Sequence, residues 1–216
     1  MKILIYGISG RTGKLVAEEA LKRGHKVVGI ARDRAKVNIQ GAEIIEGTPY
    51  ELETVKRAIE GCGAVVSTLA GFPANQGLFS KIKTPLDFMS SSISNTVEVM
   101  QEKGIKRIVV MTALGAGDSA KEIPFIFRLM VKLTNIKYSY IDHDKQEKVL
   151  EGSKLDWTVV RPVMLTDKDE ELSVMYNLNS NKKIKSAISR NAVAHFILDC
   201  IDKGEFIRQK PGISNS

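Results

Sequence analysis

Residues Gly7-Ile8-Ser9-Gly10-Arg11-Thr12-Gly13 place three glycines at a G-x-x-G-x-x-G spacing among small polar and basic side chains. The chemistry this pattern serves is binding of a diphosphate. Such a ligand needs backbone N–H groups aimed at it with no Cβ in the way. A helix N-terminus supplies free donors and the positive end of a dipole. In that scheme Gly7 allows a tight turn, Gly10 lets the diphosphate approach the backbone, and Gly13 lets the helix pack on the strand, while Ser9, Arg11 and Thr12 line the same turn. The apolar run Lys2–Tyr6 precedes the glycines and a helical pattern follows from Lys14. A strand–turn–helix context makes a glycine triplet far more specific than the triplet alone.

A second position bears on which dinucleotide is bound. A carboxylate about 20 residues past the glycines would hold the adenosine ribose 2′-hydroxyl and select NAD. Here the strand at 26–31 runs into Arg32, with Arg34 close behind. A guanidinium cannot accept from hydroxyls but pairs well with a 2′-phosphate. The expected cofactor is therefore NADP(H), with Asp33, directly after Arg32, keeping NAD(H) as the alternative.

The elements that must position these residues alternate. Strands are expected at about 2–6, 26–31, 43–45, 64–69, 108–111 and 157–160. Helices are expected at about 11–23, 86–103, 138–151 and 191–202, with another starting near Pro124. Thr48-Pro49-Tyr50-Glu51 reads as a capping box opening a further helix, with Thr48 as N-cap and Pro49 at the first helical position. Residues 70–85 read as loop, and 163–185 show no clear period and are a candidate substrate lid. Alternating strands and helices predict an α/β fold with a mostly parallel, doubly wound sheet covered on both faces.

The 216 residues suit one domain of this type, 43% of them hydrophobic and 26% charged. The formal net charge is +7, but lysine and arginine are spread along the chain without a block of like charge. That pattern points to solvated faces and some steering of an anionic cofactor rather than to nucleic acid. No apolar run approaches the roughly 18–20 residues of a membrane span, and the N-terminus lacks a signal-peptide pattern. No membrane partner is expected. Cys62 and Cys200 read as reduced, buried thiols of a cytoplasmic protein. His25, His143 and His195 lack ligand spacing, so no metal site is expected. There is no G-x-S-x-G elbow to anchor serine hydrolase chemistry. Phe125, Phe127 and Met130 are candidates either for the substrate pocket or for the core.

Gly7-x-x-Gly10-x-x-Gly13 with Thr12, then Ala31-Arg32, then Val109-Val110-Met111-Thr112, resemble the atypical short-chain dehydrogenase/reductases. The run Glu147-x-x-Leu150-x-x-Ser153-x-Leu155-Asp156-Trp157-Thr158-Val159-Val160-Arg161-Pro162 is similar to one shared by the NmrA-like and flavin/biliverdin-reductase-like members. Ile188-Ser189-Arg190-x-x-Val193-Ala194 resembles their last-helix signature. The resemblance implies a Rossmann fold of strand order 3-2-1-4-5-6 with a seventh strand near 207–213. It implies a dinucleotide across the carboxyl ends of the strands, with Leu69-Ala70-Gly71 passing the adenosine ribose, Thr112 at the nicotinamide end, and Pro162 to Leu165 beside the carboxamide.

One position departs from the family. Classical members carry Tyr-x-x-x-Lys. The lysine position falls on Lys145, expected to hold the nicotinamide ribose, but Ile141 stands where the tyrosine should be. Tyr138 and Tyr140 lie on other helix faces. Carbonyl reduction thereby loses its usual proton donor. His143 resembles the flavin/biliverdin-reductase-like group, and an imidazole with a pKa of about 6.5 would serve as an acid. The resemblance implies an NADPH-dependent oxidoreductase, monomeric or homodimeric, passing hydride to a conjugated acceptor such as a quinone, a flavin or biliverdin. The alternatives are a non-catalytic NADP(H)-sensing protein of the NmrA-like type and a carbonyl-directed reductase or nucleotide-sugar epimerase, the last disfavoured by the short C-terminal region.

Overall fold

The computed structural model describes residues 1–70, 84–168, 172–178 and 184–216. In chain order the elements are β1 (Lys2–Tyr6), α1 (Arg11–Lys22), β2 (Lys26–Ala31), β3 (Ala42–Glu46), α2 (Leu52–Ala58), β4 (Ala64–Ser67), α3 (Phe88–Glu102), β5 (Arg107–Met111), α4 (Phe125–Leu133), α5 (Ile136–Glu151), β6 (Asp156–Pro162), β7 (Met164–Thr166), β8 (Val174–Asn177), β9 (Ala187–Ser189), α6 (Arg190–Asp202) and β10 (Gly212–Asn215). Short 3-10 helices occupy 34–36 and 117–121.

Among the described residues the main sheet has the order β3-β2-β1-β4-β5-β6-β10-β8. Every pairing in it is parallel except β10 with β8. This is the doubly wound, Rossmann-type α/β fold, and it brings the carboxyl ends of β1, β2, β4, β5 and β6 to one edge.

The central strand explains its own sequence. Ile3 and Ile5 belong to the core layer under α1 and α6, whereas Leu4 and Tyr6 belong to the layer under α2, α3 and α5. A strand covered on both faces must be apolar at every position, not at alternate ones. Tyr6 remains compatible because its hydroxyl meets Thr96 Oγ1 at 2.9 Å inside the core.

Three local expectations are corrected. Thr48 does not cap α2. Its Oγ1 accepts from the Tyr50 amide at 3.3 Å, closing a local turn, and Glu51 is the residue that precedes the helix. Proline and a small hydroxyl favour a turn as readily as a helix start. The last parallel strand begins at Gly212, later than expected, because Phe206 and Arg208 adopt positive φ and Pro211 has no amide for the ladder. Before it, the chain follows β6 through isolated bonds, Arg208 N–H to Trp157 O at 2.6 Å, Val159 N–H to Gln209 O at 3.0 Å and Arg161 N–H to Pro211 O at 2.9 Å. The stretch expected to be aperiodic contributes β7, which pairs with β9, and β8, an antiparallel edge strand. Three- and four-residue strands are too short to leave a period in the sequence. No helix among the described residues is long and apolar enough to cross a membrane.

Candidate cofactor site

The turn after β1 is built for an anion. Gly7 has φ +74, and its carbonyl accepts from the Gly10 amide at 2.8 Å. Gly10 then precedes α1 with extended angles, no side chain caps the helix, and its first turn contains no acid. The first intrahelical bond is Lys14 N–H to Gly10 O, which leaves the amides of the opening turn without a helical acceptor. These donors and the dipole they carry face the exposed residues Ser9, Gly10 and Arg11. Thr12 is buried.

Steric demand on the glycines is unequal. A Cβ on Gly13 would lie 2.1 Å from the Gly7 carbonyl oxygen, a contact with backbone that cannot give way. A Cβ on Gly7 would meet Thr68 O and Oγ1 at 2.8 Å, whereas one on Gly10 would meet Gly7 O at 3.1 Å. Gly7 and Gly13 thus hold the turn together, and Gly10 is the position left open to a ligand. Thr68 was not singled out from the sequence. Its hydroxyl donates to Tyr6 O at 2.9 Å and locks the end of β4 against the turn. Leu69 is directed into the core, Ala70 is exposed, and Gly71 lies outside the described residues.

At the end of β2, Arg32 is exposed and no carboxylate pairs with it among the described residues. Asp33, the residue that could compete for a ribose hydroxyl, is engaged elsewhere. It caps the 3-10 turn through the Ala35 amide at 3.1 Å and meets Lys36 Nζ at 3.1 Å. The hydrogen bond from Lys36 holds its carboxyl below the ordinary range. Arg11 is also engaged, meeting Asp167 at 2.7 Å, and Asp167 in turn meets Arg190 at 2.5 Å.

Beyond the end of β5 lies a polar network whose inner members, Thr112, Glu147 and Arg161, are buried. Thr112 donates its hydroxyl to Glu147 Oε1 at 2.9 Å, and Arg161 Nε donates to the same oxygen at 3.1 Å. Arg161 Nη2 bridges Glu147 and Asp118, and Lys210 reaches Asp118 at 2.9 Å and Glu151 at 2.6 Å. Burial alone would raise the Asp118 carboxyl, but hydrogen bonds from Lys210 and Arg161 outweigh it, and the net shift is downward. The Thr112 hydroxyl proton is thus held by Glu147, which leaves the oxygen lone pairs of this residue at the end of β5. Pro162 is buried, and its carbonyl accepts from the Leu114 amide at 3.0 Å. Glu147 and Arg161 stood in the quoted motif without a role. The available signal was a charged residue closing the apolar run Trp157–Val160, since a buried charge requires a partner.

Helix α5 divides its residues sharply. Ile141 and Lys145 share one face and are exposed, and Lys145 pairs with no carboxylate among the described residues. His143 faces inward. Burial pushes its imidazole down to about 4, and Nδ1 lies 2.6 Å from Gln146 Nε2. The expected acid with an ordinary pKa is thus corrected to a neutral, buried ring at physiological pH. Tyr140 lies on another face of the helix, where its hydroxyl donates to Leu114 O at 3.4 Å and burial pushes its phenol up to about 12. Asp142 accepts from the amides of Met89 at 2.7 Å and Ser90 at 3.1 Å, capping α3 from the neighbouring helix. No cluster of metal-ligating side chains occurs among the described residues.

Residues 7–204 match the NAD(P)H-binding family. The chain belongs to that family. It is similar to the chloroplastic divinyl chlorophyllide a 8-vinyl-reductase of Arabidopsis thaliana, with 23% identity over 97% of this chain and 52% of that protein. The chain thus spans about half the length of that relative. Among solved structures, ChuY, an anaerobillin reductase from Escherichia coli, superimposes with a TM-score of 0.82 at 19% identity, covering 100% of this chain and 97% of that one. A short-chain dehydrogenase/reductase from Veillonella parvula in complex with NADP superimposes with a TM-score of 0.76 at 19% identity, covering 99% and 94%. At these identities the structural likenesses establish the fold, and the family match establishes the cofactor class.

Proposed function

We propose that this NAD(P)H-binding protein is an NADPH-dependent oxidoreductase that reduces a small conjugated acceptor of the quinone, flavin or biliverdin-like class. NADPH supplies the hydride when bound. The turn from Gly7 to Gly13 holds the diphosphate, and Arg32 takes the 2′-phosphate. Lys145 reaches the nicotinamide ribose from the open face of α5, and Thr112 presents hydroxyl lone pairs oriented by Glu147. The whole chain forms one cofactor-binding domain, with β7 to β10 building a small substrate-side region.

The observation that carries the choice of acceptor is the lack of a ready proton donor on α5. Ile141 replaces the tyrosine, His143 is neutral and buried, and Tyr140 lies on another face of the helix with its hydroxyl donating to Leu114 O at 3.4 Å. The alkoxide formed when hydride adds to a carbonyl carbon needs a positioned acid. An acceptor that spreads the incoming charge over a conjugated system takes its proton from water. The unpaired Arg32 beside an engaged Asp33 supports NADPH over NADH, and reductases among the similar proteins support the reaction class.

A second reading rests on a different observation. The Thr112 hydroxyl and the Pro162 carbonyl both have protein partners, as a binding protein without turnover would tolerate. Following NADPH absorbance against flavins, quinones and biliverdin separates the two. Oxidation with one acceptor class supports the reductase, whereas tight binding without oxidation across the panel establishes the sensor.

A further inference from the structure

Helix α4 is unlike the other helices. Its sequence, Phe-Ile-Phe-Arg-Leu-Met-Val-Lys-Leu, is strongly apolar, yet only Val131 is buried. Phe125 is 68% exposed, Ile126 80%, Leu129 45% and Leu133 67%. The spacing of these four residues puts them on one helical face. Phe125, expected either in the core or in the pocket, is plainly not core. At one margin of the stripe lie Arg128 and Lys132, and Lys137 stands at the start of α5. The chain carries no acid between Glu122 and Asp142. Among the described residues no carboxylate pairs with any of these three cations. Arg128 instead lies over the Phe125 ring at 5.7 Å, with its Nε unpartnered, and Lys137 lies over the Tyr138 ring at 5.0 Å.

We propose that α4 docks this protein on an anionic lipid bilayer, with Phe125, Ile126, Leu129 and Leu133 entering the headgroup boundary and Arg128, Lys132 and Lys137 meeting lipid phosphates. An apolar stripe edged by cations and free of acids is the composition of a helix that lies in a membrane interface. A second copy of the chain fits less well. Related by a twofold axis normal to the helix, the antiparallel stripes would bring like cations together. A bilayer needs no shape-complementary groove and rewards the same cations. The sequence expectation of no membrane partner rested on the missing span, a criterion blind to a helix that lies on a surface.

Co-sedimentation of the full chain with vesicles of phosphatidylcholine alone, or with added phosphatidylglycerol, tests this without any acceptor present. Binding should require phosphatidylglycerol and weaken with salt. Arg128→Glu and Lys132→Glu should each lower the partition coefficient about fivefold or more, the equivalent of roughly 1 kcal/mol per cation near an anionic surface. Ile126→Asp and Leu129→Asp should each lower it at least tenfold. The circular dichroism and NADPH affinity of the Ile126, Leu129 and Lys132 variants should match the parent, because these side chains face solvent, whereas Arg128→Glu, whose Nε is buried, is compared with its own circular dichroism. Equal sedimentation with both vesicle types, or of parent and variants, overturns the proposal. So does a parent dimer in light scattering that Ile126→Asp converts to monomer, which assigns the face to a second copy. Absence of vesicle binding with loss of turnover of a water-soluble acceptor in Ile126→Asp also overturns it and assigns the face to the acceptor site.

Discussion

At the β1–α1 turn the groups proposed to meet a ligand are backbone amides, and their placement depends on missing side chains. At the β5–α5 end the polar groups are side chains, and Thr112, Glu147, Arg161, Asp118 and Lys210 form one connected network. The first end is specified by residues adjacent in sequence. The second joins residues drawn from five separate segments. The difference teaches that a backbone site is legible from spacing, whereas a side-chain site depends on which helices and strands come to lie together.

The sharpest way to break this comparison is at Gly13. Gly13→Ala places a methyl 2.1 Å from the Gly7 oxygen, so it should cost about 3 kcal/mol or more in chemical denaturation and remove NADPH binding. Gly10→Ala, with a 3.1 Å contact, should stay within about 1 kcal/mol of the parent stability yet still weaken NADPH. If both variants unfold alike, Gly10 is structural rather than open to a ligand.

At the opposite end, Glu147→Ala strands the buried Arg161. We expect a loss of about 3 kcal/mol in denaturant unfolding, typical of breaking one partner of a buried pair. Glu147→Gln should recover part of it by keeping the bond to Thr112. A loss under about 1 kcal/mol would mean that the network is solvated in solution.

Arg32→Ala should weaken NADPH at least tenfold in a fluorescence titration and leave NADH nearly unchanged. Equal weakening of both cofactors removes the assignment of a 2′-phosphate site.

His143 gives a smaller, pH-dependent effect. Its folded pKa of about 4 lies below its unfolded value of about 6.5, so the unfolded chain binds more protons between them. Its contribution is fully present above about pH 6.5 and is lost as pH falls toward 4, at roughly 1 kcal/mol per pH unit. His143→Gln should flatten the stability profile over that window. It should also leave turnover at neutral pH within about twofold, since a neutral ring delivers no proton there. A turnover loss of tenfold or more restores His143 as the acid.

The smallest effect is expected at Asp167. Asp167→Asn releases the exposed Arg11 and should alter stability by under about 1 kcal/mol. Any change in NADPH affinity would then report on Arg11 directly.

Much of the fold was legible in the chain itself. The apolar run Ile3–Tyr6, the triplet Gly7, Gly10 and Gly13, and the replacement of a carboxylate by Arg32 are local patterns with local physical causes: burial on both faces, positive φ and close backbone approach, and charge complementarity. Strand order and the last-helix signature followed from the resemblance, because a parallel sheet admits few connections. The capping of α3 by Asp142, the locking of the turn by Thr68, the engagement of Thr112 and the neutral state of His143 were not legible. Each depends on a partner from another segment or on burial by neighbouring elements, and a side chain's pKa and free valence are set by what packs around it. Sequence alone determined where backbone could meet a diphosphate, since that requires only absent Cβ atoms at fixed spacing. Only folding decided which side chains remain free to act, because a hydroxyl, an imidazole or a guanidinium is spent or available according to its neighbours in space.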